Sequence, residues 1–308
     1  MSKTRYKIIV NPVSGRGEGN ADIPSAEKIL HSLGLAYELV RTERPLHAIE
    51  LARAAVRAGF EVVVAMGGDG TANEVINGLM QARLAGEGEA AMGLITVGRG
   101  NDFGYGIDVP HGLEVSCRCL AAGKGRRIDI GKVSGGLYPQ GRFFGNGIGI
   151  GFDAVVGFEA AKLTRLSGFL CYLVAALKTI FLYFQAPLVR IESDSGAVEQ
   201  PALMVSVMNG RRMGGTFQMA PHSKNNDGRF TVCIAGQISR FGIFKLIPRF
   251  MAGTQAGHPQ IQFLDTTHLL VRAVKGKLAA HADGETLCVE GEALVMDILP
   301  GALEVIGG

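Results

Sequence analysis

From the N-terminus to about residue 123, short apolar runs alternate with helical patterns. Tyr6–Pro12, Ala36–Arg41, Phe60–Met66 and Met92–Val97 are apolar, β-branched-rich segments of strand length. A helix is predicted around Ser25–Ser32. Another is predicted over His47–Ala58, where Ala48, Leu51, Ala52 and Ala55 share one face. Phe60–Met66 carries one charge near its start and reads as a buried strand. It runs directly into Gly67-Gly68-Asp69-Gly70-Thr71, and Ala72, Val75, Ile76 and Leu79 then line one side of a helix. Thr71 and Glu74 have the spacing of a capping box, which predicts a helix start at Thr71. Each strand leaves a Gly-, Asn- or Thr-rich loop at its carboxyl end. This alternation predicts an α/β domain with a mostly parallel sheet and ligands at the strand carboxyl ends.

The pattern changes after residue 123. Arg126–Val133 and Arg142–Ile150 read as strands, and Asn146–Ala154 leads into a helical region through Gln185. Strands recur at Leu188–Ser193, Ala202–Met208, Arg229–Ala235, His268–Ala273, Lys277–Ala282, Thr286–Val289 and Ala293–Ile298, with a helix over Ser239–Ala252. Many short strands separated by turn signals predict an antiparallel β-sandwich or barrel. The expected division is an α/β domain over 1–125 and a β-rich domain over 126–299. Residues from about 300 to 308, including Glu304–Ile306, are expected to return to the first.

Composition narrows this picture. A chain of 308 residues has room for two cores, and 47% hydrophobic with 19% charged residues describes a globular protein. The net charge of +3 suits anionic ligands or an anionic membrane surface; with no dense Lys/Arg run, nucleic acid is not expected. Five scattered cysteines predict reduced thiols in a cytoplasmic protein, and the N-terminus has no secretory-signal pattern. Leu166–Pro187 is apolar and long enough to span a bilayer, but Ser167, Lys178, Gln185 and Pro187 argue against a span. It reads either as a buried helix or as one that offers an apolar face to lipid. Arg165, Lys178, Arg211 and Arg212 are candidates for contact with anionic headgroups.

Three glycines in a strand-to-helix turn let the backbone approach a ligand, and the free N–H groups favour phosphate. Asp69 inside that loop makes sense where a divalent cation sits between it and the phosphates. A plain tight turn explains the same residues. Asn11-Pro12-Val13-Ser14-Gly15 ends the first strand and offers further donors. Asp283-Gly284-Glu285 puts two carboxylates on a glycine turn, one able to sit near metal and one to accept a proton; by itself it is also an ordinary β-turn. Asn225-Asn226-Asp227-Gly228 reads as a turn or a small cation loop. The seven histidines show no ligand spacing.

These stretches occur in one order: NPVSG at 11–15, GGDGTANEV at 67–75, GRGNDF at 98–103, IGFDA at 150–154, NGRRMGGTFQMAP at 209–221, NNDG at 225–228 and ADGE at 282–285. Together they resemble the diacylglycerol kinase catalytic-domain family, which includes bacterial lipid kinases and sphingosine and ceramide kinases. The resemblance implies ATP-dependent phosphorylation of a lipid hydroxyl with Mg2+, diacylglycerol or a related lipid being the acceptor. It places Asn11, Thr42, Gly67, Gly68, Asp69, Gly70, Thr71, Asn73, Arg99 and Asn101 at the nucleotide. It makes Glu285 the general base, with Asp69, Asp129 and Asp283 in the catalytic magnesium network. It puts a structural Mg2+ on Asp227 and the carbonyl oxygens of Lys224 and Arg229. The chain departs from the family at Arg99, where threonine is usual; an arginine there either contacts phosphate itself or blocks the usual hydrogen bond. The implied partners are ATP, a lipid at the inner membrane surface and a second copy in a homodimer. A soluble-substrate kinase of NAD kinase type and a non-catalytic nucleotide- or lipid-binding homologue are the alternatives.

Overall fold

The computed structural model describes residues 4–97, 101–163, 174–175, 177–180 and 186–307. The chain forms two units, residues 1–128 with 301–308 and residues 129–300. The first contains β1 (Arg5–Val10), α1 (Glu18–Ala21), α2 (Ile23–Ser32), β2 (Ala36–Arg41) and α3 (His47–Arg57). It continues through β3 (Val62–Gly67), α4 (Asp69–Leu84), β4 (Ala91–Thr96), α5 (Asp102–Gly106) and α6 (Leu113–Ala122). Its strands run parallel in the order β2-β1-β3-β4. The last strand of the chain, β15 (Ala293–Ile306), adds its C-terminal end beside β4, with Val305 opposite Met92. Ala293–Ile298 and Glu304–Ile306, predicted as separate segments, are thus one strand.

Apolar side chains cover both faces of this sheet. Ile8, Val10, Val64, Met66 and Ile95 pack with Ile23, Ala26 and Leu30 of α2 and with Cys117 and Leu120 of α6. Helices α3 and α4 pack closely together. Gly78 permits their contact, since a Cβ there would lie 2.4 Å from the Ile49 carbonyl oxygen.

Helix α4 corrects the predicted capping box. It begins at Asp69, two residues earlier, with Gly68 as an extended N-cap and no side-chain cap bond. The Glu74 carboxylate instead reaches α3 and accepts the N–H groups of Leu46 and Ala48, each at 3.0 Å. Tertiary packing gave the carboxylate a better set of donors than its own helix offered.

The second unit is an antiparallel sandwich. It comprises most of β5 (Gly125–Gly135), then β6 (Tyr138–Phe144), β7 (Gly147–Gly151), α7 (Phe152–Ala161), β8 (Leu188–Ser193), β9 (Gly196–Met208) and β10 (Phe230–Gly236). There follow α8 (Arg240–Ala252), β11 (Ile261–Thr266), β12 (His268–Lys275), β13 (Leu278–Ala282), β14 (Glu285–Gly291) and the start of β15. One sheet runs β14-β13-β7-β9-β10-β11 and the other includes β9-β8-β12-β15. Strand β9 serves both: Gly196–Pro201 pairs with β8, and the following residues pair with β7 and β10. Ile148, Ile150, Val205, Val207, Val232 and Ile234 from the first sheet meet Val189, Ile191, Leu269, Val271, Leu294 and Met296 from the second.

Arg142–Ile150, predicted as one strand, is interrupted between β6 and β7 at Gly145 and Asn146. The apolar segment Leu166–Pro187 lies largely outside the described residues, as does Arg165. Lys178, a candidate for headgroup contact, forms a 2.5 Å ion pair with the buried Glu159 of α7. Among the described residues no helix is long and apolar enough to cross a membrane.

Glu74→Ala is expected to lower unfolding stability by about 2 kcal/mol, the scale of losing two charge-assisted hydrogen bonds. Urea titration measures it, and an unchanged midpoint would show that α3 does not depend on this cap.

Candidate active site

In the order β2-β1-β3, the chain turns to one side of β1 and then to the other. Such a reversal opens a crevice at the carboxyl ends of the strands. The loop after β1, Asn11–Gly15, and the loop after β3, leading to Thr71, meet there. Asn11 Nδ2 donates to Thr71 Oγ1 at 3.2 Å, and Ser14 Oγ lies 3.5 Å from the same oxygen. Gly67 is required by this contact: a Cβ would lie 2.5 Å from Thr71 Oγ1 and 3.0 Å from Ser14 Oγ. The next two loops close around these. Thr42 N–H donates to the Val10 carbonyl at 2.8 Å. Asp69 Oδ1 accepts the Phe103 N–H at 3.0 Å, tying the start of α4 to α5. Asn101 is buried in the left-handed region, with φ 45°, and its Nδ2 lies 3.4 Å from His111 Nδ1.

Asn11, Thr42, the residues from Gly67 to Thr71, and Asn101 therefore gather at one edge of the parallel sheet. The N-terminus of α4 adds its amide groups there, a favourable setting for an anion. Asn73 differs. It is fully buried within α4, and its main-chain and side-chain oxygens accept Asn77 Nδ2 at 2.8 and 3.2 Å. Arg99 lies outside the described residues.

The remaining predicted site residues belong to the second unit. Glu285 opens β14, pairing with Ala282 across a two-residue turn in which Asp283 and Gly284 have φ 47° and 86°. Positive φ at both positions matches the twist of a tight hairpin. Asp283, expected in the magnesium network, has both carboxylate oxygens engaged by main chain. Oδ2 accepts Gly145 N–H at 2.8 Å, and Oδ1 accepts Asn146 and Gly147 N–H at 3.1 and 2.9 Å. This clasp falls on the interruption between β6 and β7.

Asp129 is buried and faces the 225–228 turn: its N–H donates to the Asn225 carbonyl at 2.7 Å, and its Oδ2 accepts Gly228 N–H at 2.7 Å. Asp227 Oδ1 accepts the Arg229 N–H at 3.1 Å, closing the turn. Lys224, Asp227 and Arg229 are exposed. Among the described residues no three His, Cys, Asp or Glu side chains gather as a metal cluster. One carboxylate with main-chain carbonyls is instead a donor set of hard oxygens, of the kind Mg2+ or Ca2+ takes.

Two family models match the chain. The diacylglycerol kinase catalytic domain matches residues 5–133, and the YegS C-terminal NAD kinase beta sandwich-like domain matches residues 146–307. The chain belongs to the diacylglycerol kinase catalytic-domain family. As a member it is a lipid kinase, a phosphotransferase with a hydroxyl acceptor. A diacylglycerol kinase of Staphylococcus aureus (strain bovine RF122 / ET3-1) is 26% identical over 284 residues, covering 92% of this chain and 86% of the relative. One from strain MRSA252 is 27% identical over 260 residues, covering 84% and 79%. The crystal structure of a diacylglycerol kinase from Bacillus anthracis str. Sterne superposes with a TM-score of 0.76 at 18% identity, covering 100% of this chain and 98% of that one. Yeast NADH kinase complexed with NADH gives a TM-score of 0.52 at 8% identity, covering 100% and 84%. These structural likenesses show a fold shared by the two kinds of kinase.

One buried polar feature of this chain is not evident from its motifs. Gly149 on β7 lies between His281 on β13 and Ser206 on β9. A Cβ on Gly149 would come within 2.4 Å of Asp153 Oδ2 and 2.6 Å of His281 Nε2. Ser206 Oγ donates to Asp153 Oδ2 at 3.1 Å. The signal was the alternating glycine of Gly147, Gly149 and Gly151, which strips one strand face of side chains while Ile148 and Ile150 fill the core. Burial pushes the Asp153 carboxyl up to about 7 and holds the His281 imidazole down to about 4, so His281 is neutral at physiological pH.

The Asp153 shift has a definite sign. An unfolded carboxyl ionises near 3.8, while the folded one keeps its proton to about 7. The folded state therefore loses relative stability as pH rises between those values. Asp153→Asn is expected to leave stability unchanged near pH 4 and to raise it above pH 7, by a gain on the order of 2–4 kcal/mol. Thermal unfolding across this range tests it; a destabilised variant at pH 8 would contradict it.

Proposed function

We propose that this chain transfers the γ-phosphoryl group of ATP to the hydroxyl of a membrane lipid, with diacylglycerol the leading acceptor. The observation that carries the reading is the interlock of Asn11, Ser14, Gly67 and Thr71 at the switch point of the parallel sheet. It leaves a side-chain-poor strand-to-helix turn, suited to close approach by a triphosphate. Family membership and the names of the S. aureus relatives support diacylglycerol as acceptor.

In this reading Asn11, Thr42, the Gly67–Thr71 loop, Arg99 and Asn101 bind the nucleotide. Asp69 and Asp129 serve the magnesium network, and Asp227 with the Lys224 and Arg229 carbonyls holds a structural cation. Bound Mg2+ supplies neutralisation of the charge on the phosphate oxygens. Glu285 accepts the proton of the lipid hydroxyl as its oxygen attacks the γ-phosphorus, and ADP leaves. In this reading the reaction takes place at the inner membrane surface, where the acceptor resides.

The test is incubation with γ-labelled ATP, Mg2+ and vesicles containing diacylglycerol, ceramide or a total lipid extract, with NAD as a soluble control. Label is expected in phosphorylated diacylglycerol. Absence of label from every lipid class would overturn the proposal, and label in NAD alone would replace it with the soluble-substrate reading. Glu285→Gln is expected to abolish transfer, by at least about a hundredfold, while nucleotide binding by calorimetry stays intact. Normal turnover in that variant would remove Glu285 from the base role.

A further inference from the structure

Buried asparagine side chains are costly unless their polar atoms are used, so Asn209, wholly inaccessible at the end of β9, invites an account of what it joins. Its single NH2 group donates to two carbonyls from distant parts of the chain: Asp129 O at 2.8 Å and Gly145 O at 2.8 Å. Its own N–H donates to Asn146 O at 2.9 Å, and Gly210 N–H donates to the same oxygen at 2.7 Å.

Each carbonyl begins a further connection. On one side, the amides of Gly145, Asn146 and Gly147 all donate to the Asp283 carboxylate, and Asp283 N–H returns a bond to Gly147 O at 3.0 Å. On the other side, Asp129 holds the 225–228 turn through Asn225 O and Gly228 N–H.

We infer that Asn209 and Asp283 are positioning residues for Glu285, the centre and the end of a buried hydrogen-bonded relay that joins the 282–285 hairpin to the 225–228 turn. The inference rests on the proposed role of Glu285. The hairpin has Asp283 in the left-handed region, which a non-glycine residue occupies at a cost and keeps only where its surroundings hold it. The three amides supply that hold. They stand ready because β7 starts late, and Asn209 fixes the gap by bonding Gly145 O from the opposite side. Loosening either residue frees the hairpin and displaces Glu285 without touching ATP or lipid.

The test compares the full-length protein with Asn209→Ser, Asp283→Asn and Glu285→Gln, using hydrogen exchange at single-residue resolution together with kinetics. Asn209→Ser is a mild variant whose hydroxyl can donate to one carbonyl but not both. It is expected to speed exchange at residues 145–147, 283–285 and 225–229 together. Its kcat is expected to fall about a hundredfold with KM for ATP little changed, the scale of a misplaced catalytic group. Asp283→Asn is expected to speed exchange at 145–147 and 283–285 with a similar kcat loss, and Glu285→Gln to leave exchange at 145–147 as in the wild type. Faster exchange confined to the residues around position 209 would overturn the relay. So would recovery of Asp283→Asn activity by raised Mg2+, which would make Asp283 a metal ligand. If the wild type transfers no phosphate, the exchange pattern still decides the relay, and the failure belongs to the proposed function.

Discussion

Much of the first unit hangs on a contact between two loops that are more than fifty residues apart in sequence. Thr71 Oγ1 takes a hydrogen bond from Asn11 and lies beside Ser14, and it can do so because residue 67 has no side chain. This one steric constraint explains why glycine stands at the end of a buried strand, where it weakens the strand itself. It also explains why the loop after β1 and the loop after β3 act as one surface. The parallel order β2-β1-β3-β4 places those loops side by side, and Asp69 brings in a third by accepting the Phe103 N–H.

The second unit solves a different problem. A sandwich core of aliphatic side chains is non-directional, and by itself it does not aim a carboxylate. Direction comes from polar groups buried at the edge of that core: Asp129, Asn209 and Asp283, each bonded to main chain. Charge-assisted and buried bonds of this sort have strict geometry, and leaving one unmade is expensive. Over Gly149, on the other face of that sheet, Ser206 Oγ donates to Asp153 and burial holds the neighbouring His281 neutral.

Carboxylates repeatedly found partners other than those their neighbours in sequence suggested. Glu74 has the spacing to cap its own helix yet caps α3, because α3 and α4 pack so closely that the α3 amides lie within reach. Asp283, which the family resemblance places in the magnesium network, accepts three hydrogen bonds. Its donors are main-chain amides near residue 146, invisible to any reading of side-chain types. Asn73, in the midst of the GGDGTANEV stretch, faces inward and bonds Asn77.

The sequence by itself determined the α/β unit followed by a β-sandwich, most strand positions, and the family. Those properties are written locally, in the period of apolar residues and in the order of glycine-rich turns, and local signals survive whatever the rest of the chain does. Only the tertiary structure decided that Ala293–Ile306 is one continuous strand, that Arg142–Ile150 is two, and which donors the buried acids hold. A hydrogen bond between residues 137 positions apart, such as Asn146 to Asp283, depends on the packing of whole sheets. No window of sequence contains the two partners, so no pattern within a window predicts their meeting.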